Sequence, residues 1–191
     1  MKKVGKQTYI LSNKVGILET ASIVGPKESN GPLSPFFDKR IDDEFYGEES
    51  WEKAESKFIK DAATTAINKS GLSILNIDAC FAGDLLNQCI SSNFGLRELN
   101  IPMFGIFGAC STFAESLILG SMSIDGGFFD NVLCAVSSHF CSAEKQFRFP
   151  LELGTQRPPS SQWTVTGSGS CILSKKVNGP YITGFTPREN C

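Results

Sequence analysis

The sequence has one histidine, no hydrophobic run of membrane-spanning length and no dense cluster of Lys and Arg. No run approaches the ~20 apolar residues that a spanning helix requires. A chain with a formal net charge of -2 and no basic stripe gives no indication of nucleic-acid binding. The amino terminus starts with basic residues, but polar residues interrupt any signal-peptide core. We therefore expect a soluble protein that has no secretory signal and binds no nucleic acid.

The cysteines form neither a zinc motif nor a disulfide framework. Their number is odd, no two form a CxxC pair, and a single histidine leaves little for a zinc site. Without an export signal we expect reduced thiols that mostly pack in apolar surroundings, and we predict no metal and no cofactor. The seven stand at positions 80, 89, 110, 134, 141, 171 and 191.

The residues that are present favour one folded domain over positions 1–191. Apolar residues make up 41% and charged residues 20%, enough for a sizeable core. Helical spacing of apolar residues begins at Trp51, and Gly71 ends that helix. Strand-like runs follow in alternation with helical segments, which predicts an α/β fold with a mostly parallel mixed sheet. The runs are "IDACFAG", "PMFGIFG" and "NVLCAVSS".

Both ends of the chain show β patterns. "QTYIL" and "VGILETASIVG" are separated by Ser12, Asn13 and Lys14, and this break predicts a hairpin-like pair of strands. Near the other end, "WTVTGSGSCILS" and "YITGF" predict an antiparallel hairpin joined across "KKVNGP".

Cys110 occupies the joint between a strand and a long apolar helix. Glu115 is the one charged residue from Ala109 to Ile124, so we expect a helix buried all round, which requires a further layer of structure. The thiol could be a packed small hydrophobe. Its position favours a site, because free N–H groups and the positive end of the helix dipole favour negative charge there.

A cysteine directly after a parallel strand, at the start of a buried apolar helix, resembles the nucleophile joint of the thiolase and ketoacyl-synthase superfamily. Within it, the chain resembles the stage V sporulation protein AD family of spore-forming Firmicutes over nearly its whole length. The matching stretches, in order, are "GKQTYIL", "SIVGPKESNGPLSPFFDK", "WEKAESK", "FAGDLLNQ", "FGIFGACST", "DGGFFDNVLCAVSSH", "AEKQFRFP" and "TVTGSGSCILSK".

The resemblance implies a thiolase-like N-terminal half-domain whose second half is absent from this chain. It implies a non-catalytic protein that binds dipicolinic acid (pyridine-2,6-dicarboxylate), alone or as its calcium chelate, for uptake into the forespore. The implied partners are the other stage V sporulation A membrane proteins, so the protein would be soluble or peripherally attached on the cytoplasmic side in the developing spore. An uncovered apolar helix also predicts a homodimer or other self-association.

Eight residues are candidates for ligand binding, each with a structural alternative. His139 closes a predicted strand and could be merely structural, while Asp84 could be only a helix cap. Arg148 could hold a dianion through its guanidinium, or simply lie on the surface. The candidates are Cys110, Ser111, His139, Asp84, Asn87, Gln88, Arg148 and Ser168.

Acyl transfer with Cys110 as the acyl acceptor is the alternative function. An acyl enzyme needs an activated thiolate and donors for the oxyanion. In the superfamily a histidine in the second half supplies that chemistry, and His139 does not match it. We therefore predict no catalytic residue unless the alternative holds.

Overall fold

A computed structural model describes residues 1–147 and 163–187, in which strands and helices alternate around one sheet. The described strands are β1 (Lys2–Val4), β2 (Thr8–Val24), β3 (Lys39–Arg40), β4 (Ala79–Gly83), β5 (Met103–Gly105), β6 (Asn131–Ser138), β7 (Gly167–Ser174) and β8 (Tyr181–Phe185). The described α-helices are α1 (Pro26–Ser29), α2 (Trp51–Ser70), α3 (Ile90–Leu96), α4 (Thr112–Asp125) and α5 (Phe140–Phe147).

The sheet is mixed, as predicted. Its order is β1-β2-β7-β6-β4-β5, and β3 and β8 also pair with β2. Strand β4 runs parallel to β5 and β6, while β7 runs antiparallel to β6 and β2. The carboxyl ends of β4, β5 and β6 therefore meet at one edge of the sheet, together with the amino end of β7.

Helix α2 forms where the spacing predicts it. The Ser50 side chain caps its start by accepting the N–H of Lys53, and Gly71 ends it in the left-handed region at φ 71°. Its buried stripe includes Phe58 and Ile59, which are fully buried. The helix packs on β2, β6 and β7 and holds α3 beside it.

The sheet separates two apolar layers because side chains alternate across β6. Leu133 and Ala135 join the cluster that contains Ile59 of α2. Val132 and Cys134 join the opposite cluster with residues of α4. Helices therefore cover both faces of the central strands, and the site lies where these layers end.

Helix α4 packs on the sheet through its small residues. Thr112, Ser116 and Gly120 are buried, and a Cβ at Gly120 would lie 3.0 Å from the Leu173 Cδ1. The larger Phe113 and Met122 are each 37% exposed. The expectation of a helix buried all round is therefore wrong for the described residues: one face is buried, and the apolar outer face has no layer over it.

Neither predicted terminal hairpin forms. β2 continues through the polar break, because Asn13 is held extended by hydrogen bonds from its N–H to Asp125 Oδ1 (2.7 Å) and from its Nδ2 to Asp125 O (3.2 Å). Gly16 lies opposite both Ser174 of β7 and Tyr181 of β8. These two strands flank β2 instead of pairing with each other. Helix α5, which no sequence pattern predicted, follows β6 directly.

Gly83 allows the end of β4 to approach the chain after β5. A Cβ at Gly83 would lie 2.1 Å from the backbone oxygen of Ile106, whereas one at Gly105 on the neighbouring strand would meet nothing within 4 Å. We predict that Gly83→Ala lowers the free energy of unfolding by about 1–3 kcal/mol, because the backbone must shift. Urea denaturation should show this loss, with Gly105→Ala unchanged as the control. Equal stability of both variants would contradict the close approach.

Candidate functional site

A tight turn before α4 presents the thiol of Cys110. Residues Ala109–Ser111 form a single 3-10 turn, entered through Ala109 at a positive φ of 48°. Thr112 locks the turn, because its Oγ1 accepts the Gly108 N–H at 3.0 Å and donates to Ala109 O at 2.8 Å. Cys110 is exposed at the head of the helix, so the reading as a packed thiol does not apply.

The thiol opens onto a cleft of about 640 Å³ at the edge where the strands end. Asp84 follows β4, Ser137 and Ser138 end β6, and Ser168 begins β7; all four line this cleft. The apolar lining residues are Val24, Phe37, Leu85, Ala109, Phe113, Val136, Trp163 and Val165. A strand edge beside a helix start is a common place for ligand binding in α/β proteins.

Most polar side chains of the cleft already have partners. Ser138 donates to Val165 O at 2.6 Å, and Ser168 donates to Val136 O at 2.7 Å. Asp84 accepts the N–H of Leu86 at 2.8 Å. These groups shape the cleft, so that the Cys110 thiol and the backbone N–H groups of Ala109 and Cys110, in the turn before α4, are left as its prospective donors.

The described lining contains no Lys or Arg, whereas Asp84 contributes a buried carboxyl group. An anion in this cleft therefore depends on backbone N–H groups, hydroxyls and the helix dipole rather than on a paired side-chain cation of the described residues. A dianionic ligand would meet the Asp84 carboxyl group without a side-chain cation in the described lining to offset the repulsion.

His139 lies behind the cleft and has a structural role. Its imidazole is 1% exposed, its Nε2 is 2.8 Å from Glu44 O, and its Nδ1 accepts the N–H of Cys141 at 3.2 Å. Burial lowers the pKa of the imidazole below its usual value, which favours the neutral ring. Both ring nitrogens are engaged away from the cleft, so the geometry removes the support for His139 as a ligand-binding residue.

Three other candidates also lie outside the cleft lining. The Asn87 side chain accepts from Gln146 Nε2 at 3.0 Å, which ties the loop after β4 to α5. The Ser111 hydroxyl donates to Gly108 O at 2.7 Å and so serves the turn. Gln88 sits in the left-handed region at φ 61°. Arg148 lies outside the described residues. Cys110, Asp84 and Ser168 are thus the candidates that the structure brings together.

Glu55 of α2 is a buried polar residue that the sequence analysis missed. It is fully buried behind the cleft wall, where Ser137 and Ser142 bind its carboxyl group. The sequence contained a signal for this burial, because Glu55 stands four residues before Ile59 and therefore lies on the apolar stripe of the helix.

Four of the described cysteines are buried, and three of them lie in the two apolar clusters of the core. Cys80, Cys134 and Cys171 are buried, and burial raises the pKa of Cys80 and of Cys171 to about 12. Such thiols are inert. The six described cysteines are all unpaired. No group of His, Cys, Asp and Glu that could hold a metal ion occurs within residues 1–147 and 163–187.

The layered mixed sheet and the cysteine at its strand–helix joint define a thiolase-like fold of the ketoacyl-synthase kind. Over 86% of this chain it is similar to 55% of 3-oxoacyl-[acyl-carrier-protein] synthase III from Aquifex aeolicus VF5, with a TM-score of 0.60 and 16% identity. It is also similar to Xanthomonas campestris OleA H285N, with a TM-score of 0.56 and 14% identity over 87% of this chain and 57% of that one. These likenesses concern the fold.

Sequence comparison defines the family more narrowly. The family model for stage V sporulation protein AD (SpoVAD) matches residues 5–188, so the chain belongs to the stage V sporulation protein AD family. It is 42% identical over 186 residues to stage V sporulation protein AD of Bacillus subtilis (strain 168). That match covers 97% of this chain and 55% of the relative, so the chain spans about half of the relative's length. No helix in the described part of the chain is both long and apolar enough to cross a bilayer.

We predict that His139→Leu lowers the free energy of unfolding by about 1–3 kcal/mol near neutral pH, because the Glu44 carbonyl and the Cys141 N–H both lose their buried partner. This penalty should shrink as the pH falls below 6.5, the usual pKa of histidine, because the unfolded wild type then gains a proton that the buried ring resists. Urea denaturation at several pH values measures the difference. His139 is the only histidine, so a pH-independent difference would contradict the buried neutral ring.

Proposed function

We propose that the chain binds dipicolinate in the cleft beside Cys110 and takes part in its uptake into the forespore, without catalysing acyl transfer. The observation that carries this proposal is the exposed thiol at the amino end of α4, opening onto a cleft of about 640 Å³. Membership of a sporulation family agrees with a role in the developing spore.

The cleft suits a small aromatic anion. Phe37, Phe113 and Trp163 offer apolar surfaces for a pyridine ring, while the turn before α4 offers N–H groups to a carboxylate. The Asp84 carboxyl group disfavours binding of the free dipicolinate dianion. The calcium chelate, in which the metal neutralises part of the dipicolinate charge, is therefore the second form to test.

The arrangement favours binding over catalysis because no histidine is among the described residues that line the cleft, and the carboxyl group of Asp84 in that lining already accepts hydrogen bonds from Leu86 and Ser92. An acyl enzyme needs a group that takes the thiol proton, and both nitrogens of His139 are engaged elsewhere. The exposed cysteine of a ketoacyl-synthase-like fold keeps acyl transfer as the second candidate. An acetyl or malonyl thioester would then leave a mass adduct on Cys110, whereas the binding proposal expects none.

Calorimetry with dipicolinate and with its calcium chelate tests the binding proposal. We expect micromolar or weaker binding, and Cys110→Ala should weaken it about fivefold to tenfold, the net value of roughly one hydrogen bond. Cys141→Ala is the matched control, because Cys141 lies outside the cleft lining and should leave the affinity unchanged. Absence of heat with both ligand forms would refute the proposal, and total loss of a thioester-dependent activity in Cys110→Ala would favour the enzyme.

We also propose that the uncovered face of α4 is a contact surface between two copies of the chain. Phe113 and Met122 lie half-exposed on this face, and apolar surface of this kind drives association. The other stage V sporulation A membrane proteins are the proposed partners of the assembled protein, and a second thiolase-like half is the alternative cover for the same face.

Sedimentation tests this contact. We predict that the chain sediments as a dimer or larger species, and that Met122→Glu shifts it towards the monomer, because a charge on this face must be desolvated in the contact. Leu75→Glu is the control, since Leu75 is 89% exposed on a different part of the surface. A wild-type monomer at all concentrations would contradict the self-association, as would equal dissociation by both variants.

A further inference from the structure

Two carboxyl groups are buried near each other, one in the wall of the cleft and one behind it. Glu55 and Asp84 are the fully buried acidic residues of the described chain, at 0% and 2% exposure. Glu55 projects from α2, and Asp84 stands in the loop after β4. Asp84 is close enough for its charge to raise the pKa of Glu55. Burying two carboxyl groups in the interior costs free energy, and hydrogen-bond donors around each group must offset that cost.

Asp84 has the donors that a carboxylate requires. Its Oδ2 accepts the Ser92 N–H at 2.7 Å and the Ser92 hydroxyl at 2.5 Å, and its Oδ1 accepts the Leu86 N–H. Three donors thus converge on one buried group. The hydrogen-bond partners of the Glu55 carboxyl group are serine hydroxyls, and no backbone N–H of the described chain donates to it.

The hydrogen bonds around Glu55 accommodate a neutral acid. The Ser142 hydroxyl is 2.8 Å from Glu55 Oε2 and 3.1 Å from His139 O, yet it carries one proton. If Glu55 is protonated, its Oε2–H donates to Ser142, Ser142 donates to His139 O, and the Ser137 hydroxyl donates to Oε1 at 3.2 Å. The protons of Glu55, Ser137 and Ser142 then each have an acceptor. The Ser91 hydroxyl, also beside Glu55, makes no hydrogen bond of good geometry.

The acid is coupled to the cleft through residues that belong to both. Ser137 binds Glu55 and lines the cleft; Asp84, whose charge raises the pKa of Glu55, also lines it. From the surrounding elements Asp84 supplies the charge, while Ser91, Ser137 and Ser142 supply hydroxyls. A charge on Glu55 would therefore stand directly behind a wall whose described lining has no cation.

We propose that Glu55 is a positioning residue that stays a neutral acid behind the cleft, and that loss of its proton weakens the binding of an anionic ligand. This inference rests on the proposed dipicolinate binding. Burial raises the pKa of Glu55 to about 8, and the nearby Asp84 adds to that rise. The protonated form therefore predominates near neutral pH. Ionisation would break the Ser142 chain and place a second negative charge beside Asp84.

Calorimetry with dipicolinate at about pH 6.5 and about pH 9 tests the inference, since both ligand carboxylates stay ionised across this range. The wild-type affinity should fall about tenfold, as expected for one added charge several ångströms from the ligand. Glu55→Gln, which is uncharged at both values, lacks the part of this fall that comes from Glu55 and should lose much less affinity. Glu49→Gln, at an 85% exposed side chain, is the control and should follow the wild type. An equal fall in Glu55→Gln would overturn the inference.

Unfolding curves separate failure of this inference from failure of the proposed function. If neither the wild type nor any variant binds dipicolinate, the proposed function fails, and so does the proposed effect of Glu55 on ligand binding. The pH dependence of stability still shows whether Glu55 is protonated in the folded chain. The unfolded wild type releases this proton near pH 4.5 and the folded one near pH 8, so its free energy of unfolding should fall between these values relative to Glu55→Gln. Parallel curves of stability against pH for the wild type and Glu55→Gln would overturn the proposal that Glu55 is a neutral acid.

Ser142→Ala provides an independent variant should Glu55→Gln fail to fold. Its hydroxyl accepts the Glu55 proton in the chain that ends at His139 O, so its removal should move the midpoint of the pH-dependent loss of dipicolinate binding downward. Ser56→Ala, whose hydroxyl donates to Glu52 O on the same helix as Glu55 and lies outside the cleft lining, is the matched control. An unmoved midpoint in Ser142→Ala would contradict the coupling.

Discussion

The contact between the small-residue face of α4 and the sheet is the constraint on which the site depends. Thr112, Ser116 and Gly120 let the helix lie close to β4, β6 and β7, and Cys134 donates to Ser116 O at 3.3 Å within that contact. Since the helix begins at the edge where the parallel strands end, this packing places Cys110 over the cleft. Because this face packs on the sheet, Phe113 and Met122 point outward. The same packing therefore determines both the geometry of the site and the tendency of the chain to associate.

The chemistry of the cleft follows from which polar groups are left free. Hydroxyls at the strand ends satisfy neighbouring carbonyls, and His139 anchors the Glu44 loop, so neither supplies a base for the thiol. Remaining donors are the thiol and the amide groups at a helix start, an arrangement that suits anion binding better than proton transfer. A neutral Glu55 behind the wall would limit the negative charge that such a ligand meets.

The sequence predicted those parts of the fold that local patterns control. Apolar spacing and Gly71 defined α2, and the apolar runs identified β4 and β6, because burial on two faces leaves few polar residues. Local patterns failed where distant contacts decided the outcome: Asn13 stays in β2 because it binds Asp125, and β7 and β8 flank β2. Likewise, the position of Cys110 was predictable from its strand–helix joint, whereas the inward direction of His139 depends on Glu44, 95 residues away.

The central claim is that Cys110 stands at the mouth of the cleft that receives the ligand, and the alkylation rate of each cysteine tests it most directly. Mass spectrometry after brief iodoacetamide treatment should show rapid labelling of Cys110 and slow labelling of the buried Cys80, Cys134 and Cys171, which serve as internal controls. Dipicolinate should slow the labelling of Cys110 in proportion to occupancy and leave the controls unchanged. Labelling of Cys110 at the same rate under saturating dipicolinate would contradict the account.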